Sequence, residues 1–152
     1  MFRTFMVGAV SAVALTFSAA AFAQQDRFGT AAEAKAMLEK AVVAVRADKA
    51  KALEIFNTRE GTFKDRDLYP FCFNIVNGIV TAGPADVLGK DVRTLKDATG
   101  QAFGEDLYNA PREGTNQVNY MFPRPGDDFT PVEKSSVIAR AGDQGCGVGY
   151  YK

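Results

Sequence analysis

Two cysteines, Cys72 and Cys146, together with scattered carboxylates, lysines and hydroxyls, are the groups with which this chain could do chemistry. It has no histidine and no tryptophan. Without imidazole there is no Ser-His or Cys-His nucleophile pair, no His-ligated metal or haem, and no proton shuttle near neutral pH. Two thiols cannot build a four-thiolate metal site. Neither lies in a CxxC motif, and nothing obvious would lower a thiol pKa. The aspartates at Asp86, Asp91 and Asp97, and the Asp127-Asp128 pair, lack the tight spacing and closing glutamate of a calcium loop, so no metal is expected. There is no Ser-x-x-Lys and no carboxylate pair arranged for acid–base work, so an enzyme is not the expectation and no cofactor is implied.

The charges cancel, with 18 Lys and Arg against 18 Asp and Glu. No basic excess exists to neutralise a phosphate backbone, which argues against nucleic acid as a partner. With 47% hydrophobic and 24% charged residues, 152 residues suffice for one folded domain.

Residues 1–23 carry one charge, Arg3, followed by an uncharged run from Phe5 that ends in Ala21-Phe22-Ala23. A positive start, an apolar run and a small-x-small exit describe a secretory signal cleaved after Ala23. The alternative is an uncleaved membrane anchor, but Ala, Ser, Gly and Thr make up much of the run and partition weakly into hydrocarbon. The expected mature chain, residues 24–152, is one exported domain, in the bacterial periplasm or secreted. In that oxidising setting an even cysteine count favours a disulfide. Two buried free thiols remain the alternative.

The elements that must position these groups begin with a helix. Thr30-Ala31-Ala32-Glu33 is a capping box, and an apolar stripe runs from Ala34 through Met37, Leu38, Ala41 and Val45 to Leu53 and Phe56. The pattern predicts a helix over residues 30–60, bent near Asp48 and stopped by Gly61. Short β-like runs follow: 68–76, ending at the hairpin signal Asn77-Gly78, then 79–82, 118–122, 132–140 and 146–151. Residues 86–104 read as loop, and 105–110 as a short helix stopped before Pro111. The fold class is α+β, a long N-terminal helix packed on one face of an antiparallel sheet.

From Ala31 to Lys152 the sequence resembles the single Cache domain, an extracytoplasmic PAS-like sensor module. The residues that carry the likeness are Gly61-Thr62-Phe63, Asp67-Leu68-Tyr69 and Asn77-Gly78. Leu88-Gly89-Lys90-Asp91 and Leu95-Lys96-Asp97 follow, then Tyr120-Met121-Phe122-Pro123. Pro131 through Ser136 and Gly147-Val148-Gly149-Tyr150-Tyr151 complete the series in order. Each motif is weak alone. The resemblance implies a PAS-like sheet of five or six antiparallel strands with its first and last long strands adjacent, which would set Cys72 beside Cys146. It also implies a pocket on the sheet face opposite the helix, roofed by residues 83–104, for a small organic acid or an amino-acid-like metabolite. Family members often carry a histidine before the proline after the first hairpin, where this chain has Gly83-Pro84. Many such modules continue into a membrane helix and a signalling domain. This sequence ends one residue past its last strand, so a membrane sensor kinase or chemoreceptor is the expected separate partner.

A small acid needs a positive donor, hydroxyls and an apolar wall. Lys134, in a position the resemblance associates with the pocket, is the candidate donor; a solvated edge-strand lysine is the alternative. Tyr120 offers a phenol and Ser136 a hydroxyl on the Lys134 side of its strand. Tyr69, Phe71 and Phe73 share one face by their period of two and form either a pocket wall or plain core. The expected function is ligand capture by a sensory module. The alternative is a structural or accessory interaction domain whose pocket is closed.

Overall fold

A computed structural model describes residues 27–113, 117–126 and 128–152. The expected signal segment, residues 1–23, lies outside them. Among the described residues no helix is long and apolar enough to cross a membrane.

Among the described residues, the first elements named are helix α1 (Ala31–Ala47) and helix α2 (Lys49–Thr58). Both halves of the capping box are present: Glu33 N–H donates to Thr30 Oγ1 at 3.2 Å, and Thr30 N–H donates to Glu33 Oε2 at 2.8 Å. The single long helix expected from the stripe is two helices. Asp48 adopts an extended conformation (φ −155°, ψ 95°), ends α1, and caps α2 by accepting from Lys51 N–H at 3.1 Å. A short carboxylate side chain competes with the helical backbone at the point where the stripe turns polar. Helix α2 stops at Arg59, before Gly61, with Arg59 in the left-handed region (φ 53°, ψ 40°).

Five strands follow: β1 (Pro70–Asn74), β2 (Val80–Ala82), β3 (Gln117–Pro123), β4 (Pro131–Ala141) and β5 (Gln144–Tyr151). They form one antiparallel sheet in the order β2-β1-β5-β4-β3, so the last strand is the central one. Strands β4 and β5 are joined by Gly142-Asp143, with Gly142 at φ 63°. The β1–β2 turn, by contrast, spans residues 75–79 rather than two.

Helices α1 and α2 cover one face of the sheet, where Met37, Leu38, Ala41 and Phe56 meet Cys72, Cys146 and Val148. Cys72 and Cys146 are directly opposed on β1 and β5 and form a disulfide. The expected bond is therefore present, and the alternative of free thiols is excluded. The other face is covered by helix α3 (Gly104–Glu113) and by the loops of residues 83–103. The expectation that this helix stops before Pro111 is corrected, since it continues to Glu113. Pro111 falls in the final turn, where a missing N–H costs one hydrogen bond, and the Arg112 guanidinium donates from Nη1 to Tyr108 O at 2.9 Å. A Cβ on Gly145 would lie 2.7 Å from Pro111 Cγ, so the ring packs on the bare strand below it.

The disulfide closes a loop between residues 74 apart in sequence. In the chain-entropy model such a closure is worth about 4 kcal/mol. The double variant Cys72→Ala, Cys146→Ala is expected to lower the free energy of unfolding by about 3–4 kcal/mol, measured as the shift in the urea denaturation midpoint at unchanged slope.

Candidate ligand-binding site

The face of the sheet under α3 holds a cavity of about 380 Å³. Its shape follows from strand β5. Gly145, Gly147 and Gly149 share one face of this central strand and put no side chain on it. The neighbouring strands fill the space. Phe73 stands opposite Gly145 and Phe71 opposite Gly147, and a Cβ on either glycine would meet the facing ring at 2.6 Å. At Gly149 a Cβ would lie 2.7 Å from Lys134 Cε, 3.1 Å from Ser136 Oγ and 3.2 Å from Tyr120 Oη. The aliphatic stem of Lys134 thus lies over bare backbone.

Strand β4 lies between β5 and β3, and Lys134 is only 5% exposed on it. The alternative of a solvated edge-strand lysine is therefore excluded. Its ammonium sits 4.8 Å from the centroid of the Tyr151 ring, 5.4 Å from Phe122 and 5.5 Å from Tyr69. These π faces attract a cation but neutralise no charge. No hydrogen bond or ion pair joins this ammonium to another described residue. Burial pushes its pKa down to about 8; nearby Arg59 pushes the same way, and Asp67 opposes both.

Arg59 lines the cavity with its guanidinium 4.5 Å over Tyr69, a ring of the same cage. Its Nη2 is buried without a hydrogen-bond partner. Two cationic groups therefore meet on one phenol ring with donor capacity unused. Tyr120 stacks on Phe103, ring centroids 4.3 Å apart, and its hydroxyl shares a 2.8 Å hydrogen bond with Ser136 Oγ. Burial raises the pKa of both Tyr120 and Tyr69, so both phenols stay neutral. Leu95 and Val92 from the roof, Leu107 from α3 and Val80 from β2 complete the apolar part of the wall.

Of the residues singled out from the sequence, Lys134, Tyr120, Tyr69 and Phe71 line this cavity together. Ser136 does not line it but holds the Tyr120 hydroxyl. Phe73 is a correction. It shares the face of Phe71 but is fully buried between Gly145 and α3, with its ring 6.3 Å from that of Tyr108, and it belongs to the core. Arg59 was not singled out, and nothing in its sequence neighbourhood marks it. Two roof aspartates, Asp91 and Asp97, are engaged within the protein and do not line the cavity. Asp91 holds Arg93, and Asp97 accepts from Thr99 Oγ1, Met121 N–H and Gln101 N–H, which lowers its pKa to about 2.

No protein-family model and no curated protein matches the sequence. Solved structures do. A methyl-accepting chemotaxis protein from Vibrio parahaemolyticus RIMD 2210633 aligns with a TM-score of 0.61 at 23% identity, over 78% of this chain and 86% of that one. A periplasmic sensor domain of a chemotaxis protein aligns at 0.59 and 19% identity, over 86% and 96%. A Cache chemosensory domain described for carboxylic acid recognition aligns at 0.57 and 20% identity, over 90% and 99%.

Two outcomes follow from the geometry. The folded Lys134 value lies below that of an exposed lysine, so the folded protein releases this proton first. The cost of burying the charge is full below about pH 8 and fades as pH rises toward the ordinary lysine range. An anion that pairs with this ammonium should therefore lose up to about tenfold in affinity per pH unit above pH 8, read by titration calorimetry. In Gly149→Ala the new methyl displaces the flexible end of Lys134. The affinity should drop by about tenfold while the melting temperature changes little. In fold, this chain is similar to these periplasmic sensor and Cache chemosensory domains.

Proposed function

We propose that this protein is an exported, non-catalytic sensor module. It captures a small carboxylate or amino-acid-like metabolite and presents the bound state to a separate membrane partner, a sensor kinase or chemoreceptor. One observation carries this reading: the Lys134 ammonium, 5% exposed, lines a cavity of about 380 Å³ with no carboxylate paired to it. An unpaired buried charge is costly, and a stable fold has no reason to keep one that an apolar residue could replace. A ligand carboxylate supplies the missing counter-charge and accepts the ammonium's hydrogen bonds. The similarity to chemotaxis sensor domains supports the same reading, including an extracytoplasmic location. Neither thiol is free, and the cavity wall carries no nucleophile paired with a base, in keeping with binding rather than turnover.

The test is a thermal-shift screen of small carboxylates and amino acids. A ligand present at about a hundred times its Kd stabilises the fold by about 2.7 kcal/mol, which raises the melting temperature by several degrees. Lys134→Met should abolish that rise, and unliganded Lys134→Met should melt at the same or a higher temperature because the buried charge is gone. The absence of a shift across a broad library, or an undiminished shift in Lys134→Met, would remove the basis of the proposal.

A further inference from the structure

Resting on the reading of this cavity as an anion site, we infer that its ligand is a monocarboxylate with an apolar body, and that Arg59 is the second residue gripping its carboxylate. Three observations carry this.

The first is the charged end. Arg59 and Lys134 both stand on the ring of Tyr69, at 4.5 Å and 5.5 Å from its centroid, and Arg59 Nη2 is buried with nothing to donate to. A carboxylate offers two oxygens and so accepts from both cations at once. Arg59 reaches this place from a left-handed backbone conformation (φ 53°) at the end of α2, where glycine is the residue usually found. A long, charged side chain in that conformation is a strained choice, and such choices gather at functional positions.

The second is the rest of the wall. Beyond the two cations and the phenol of Tyr69 on which they stand, it is made chiefly of Val80, Val92, Leu95, Phe103 and Leu107, and the hydroxyl of Tyr120 is already engaged with Ser136. A hydroxyl, ammonium or second carboxylate placed against these apolar side chains would be buried without a partner. Asp86 and Lys96 also border the cavity, but both are exposed, and pairing with exposed charges gains little.

The third is size. A cavity of about 150 Å³ accommodates benzene. At about 380 Å³ this one is too large to be filled by a two-carbon acid.

The experiment compares acetate, 3-phenylpropionate and phenylalanine by titration calorimetry at neutral pH. The last two differ by one α-ammonium group. 3-Phenylpropionate should bind at least tenfold more tightly than either of the others. In Arg59→Gly its affinity should fall at least tenfold while the unliganded melting temperature holds or rises, because glycine suits the left-handed backbone. Phenylalanine or acetate binding as tightly as 3-phenylpropionate, in a manner lost in Lys134→Met, would overturn the ligand class and leave the anion site standing. Unchanged affinity in Arg59→Gly would overturn the role of Arg59. No binding of any of the three would overturn this inference, whereas the anion site itself falls only if the wider library also fails.

Discussion

The central strand of the sheet presents three glycines in a row on one of its faces, Gly145, Gly147 and Gly149, and the site is a consequence of that bareness. Strand β5 alternates glycine with Cys146, Val148 and Tyr150, so one face carries the disulfide and core contacts while the other is bare backbone up to Tyr151. Glycine in a strand interior is normally a loss, since it contributes no packing and raises the entropy of the unfolded chain. Here the loss is offset by aromatic rings from β1 lying across the gaps, Phe71 over Gly147 and Phe73 over Gly145. Such aromatic–glycine pairs across strands restore the missing packing. At the third gap, Gly149, the atom that a Cβ would meet first is Lys134 Cε rather than a ring carbon. The space goes to the stem of Lys134, and so a cation enters a face otherwise built as core.

A cation in that position could have been neutralised internally. Asp67 is buried and close enough to raise the pKa of Lys134, and one of its oxygens, Oδ2, lacks a hydrogen-bond partner. Had Asp67 closed a direct ion pair, the charge of the ammonium would already be met from within the fold. Instead Asp67 Oδ1 accepts from Gly29 N–H at 2.6 Å, and the ammonium rests among the rings of Tyr151, Phe122 and Tyr69. Aromatic faces lower the cost of burying the charge without cancelling it. That intermediate solution keeps the fold viable and leaves an electrostatic demand that an anion meets.

How much of this was legible in the sequence depended on whether the signal was local. The capping box at Thr30 and Glu33 and the strands of the second half are written in near-neighbour chemistry and periodicity, and they are found where those patterns place them. The division of the helix at Asp48 was visible only as a bend, because one aspartate can either face solvent within a helix or break it. Pro111 inside α3 was missed because its compatibility depends on Gly145, distant in sequence, leaving room for the ring. Period-two counting correctly set Phe71 and Phe73 on one face. It could not separate cavity wall from core, since α3 covers one ring and leaves the other beside the open space. Arg59 is the clearest case. Its place on Tyr69 arises from a left-handed residue at a helix end, and the sequence, with Gly61 nearby as the more obvious stop, carries no local sign of it.

The roof over the cavity bears on how binding could be communicated. It is pinned to the sheet at several points. Val80 N–H donates to Lys90 O and Gly89 N–H to Val80 O, each at 2.9 Å, while Val92 N–H donates to Gly78 O at 2.8 Å. At its far end Asp97 accepts from Met121 N–H of β3 at 3.0 Å, and Ala98 N–H donates to Met121 O at 3.0 Å. Opening such a roof breaks several backbone hydrogen bonds together, so the cavity is largely formed before any ligand arrives. A preformed site spends little of its binding energy on ordering loops. The same economy limits signalling, because a ligand shifts a conformational equilibrium only by the difference in its affinity for the two states. With the roof held at both ends, that difference must come from small displacements around the charged end, where Arg59 and Lys134 repel each other until an anion stands between them.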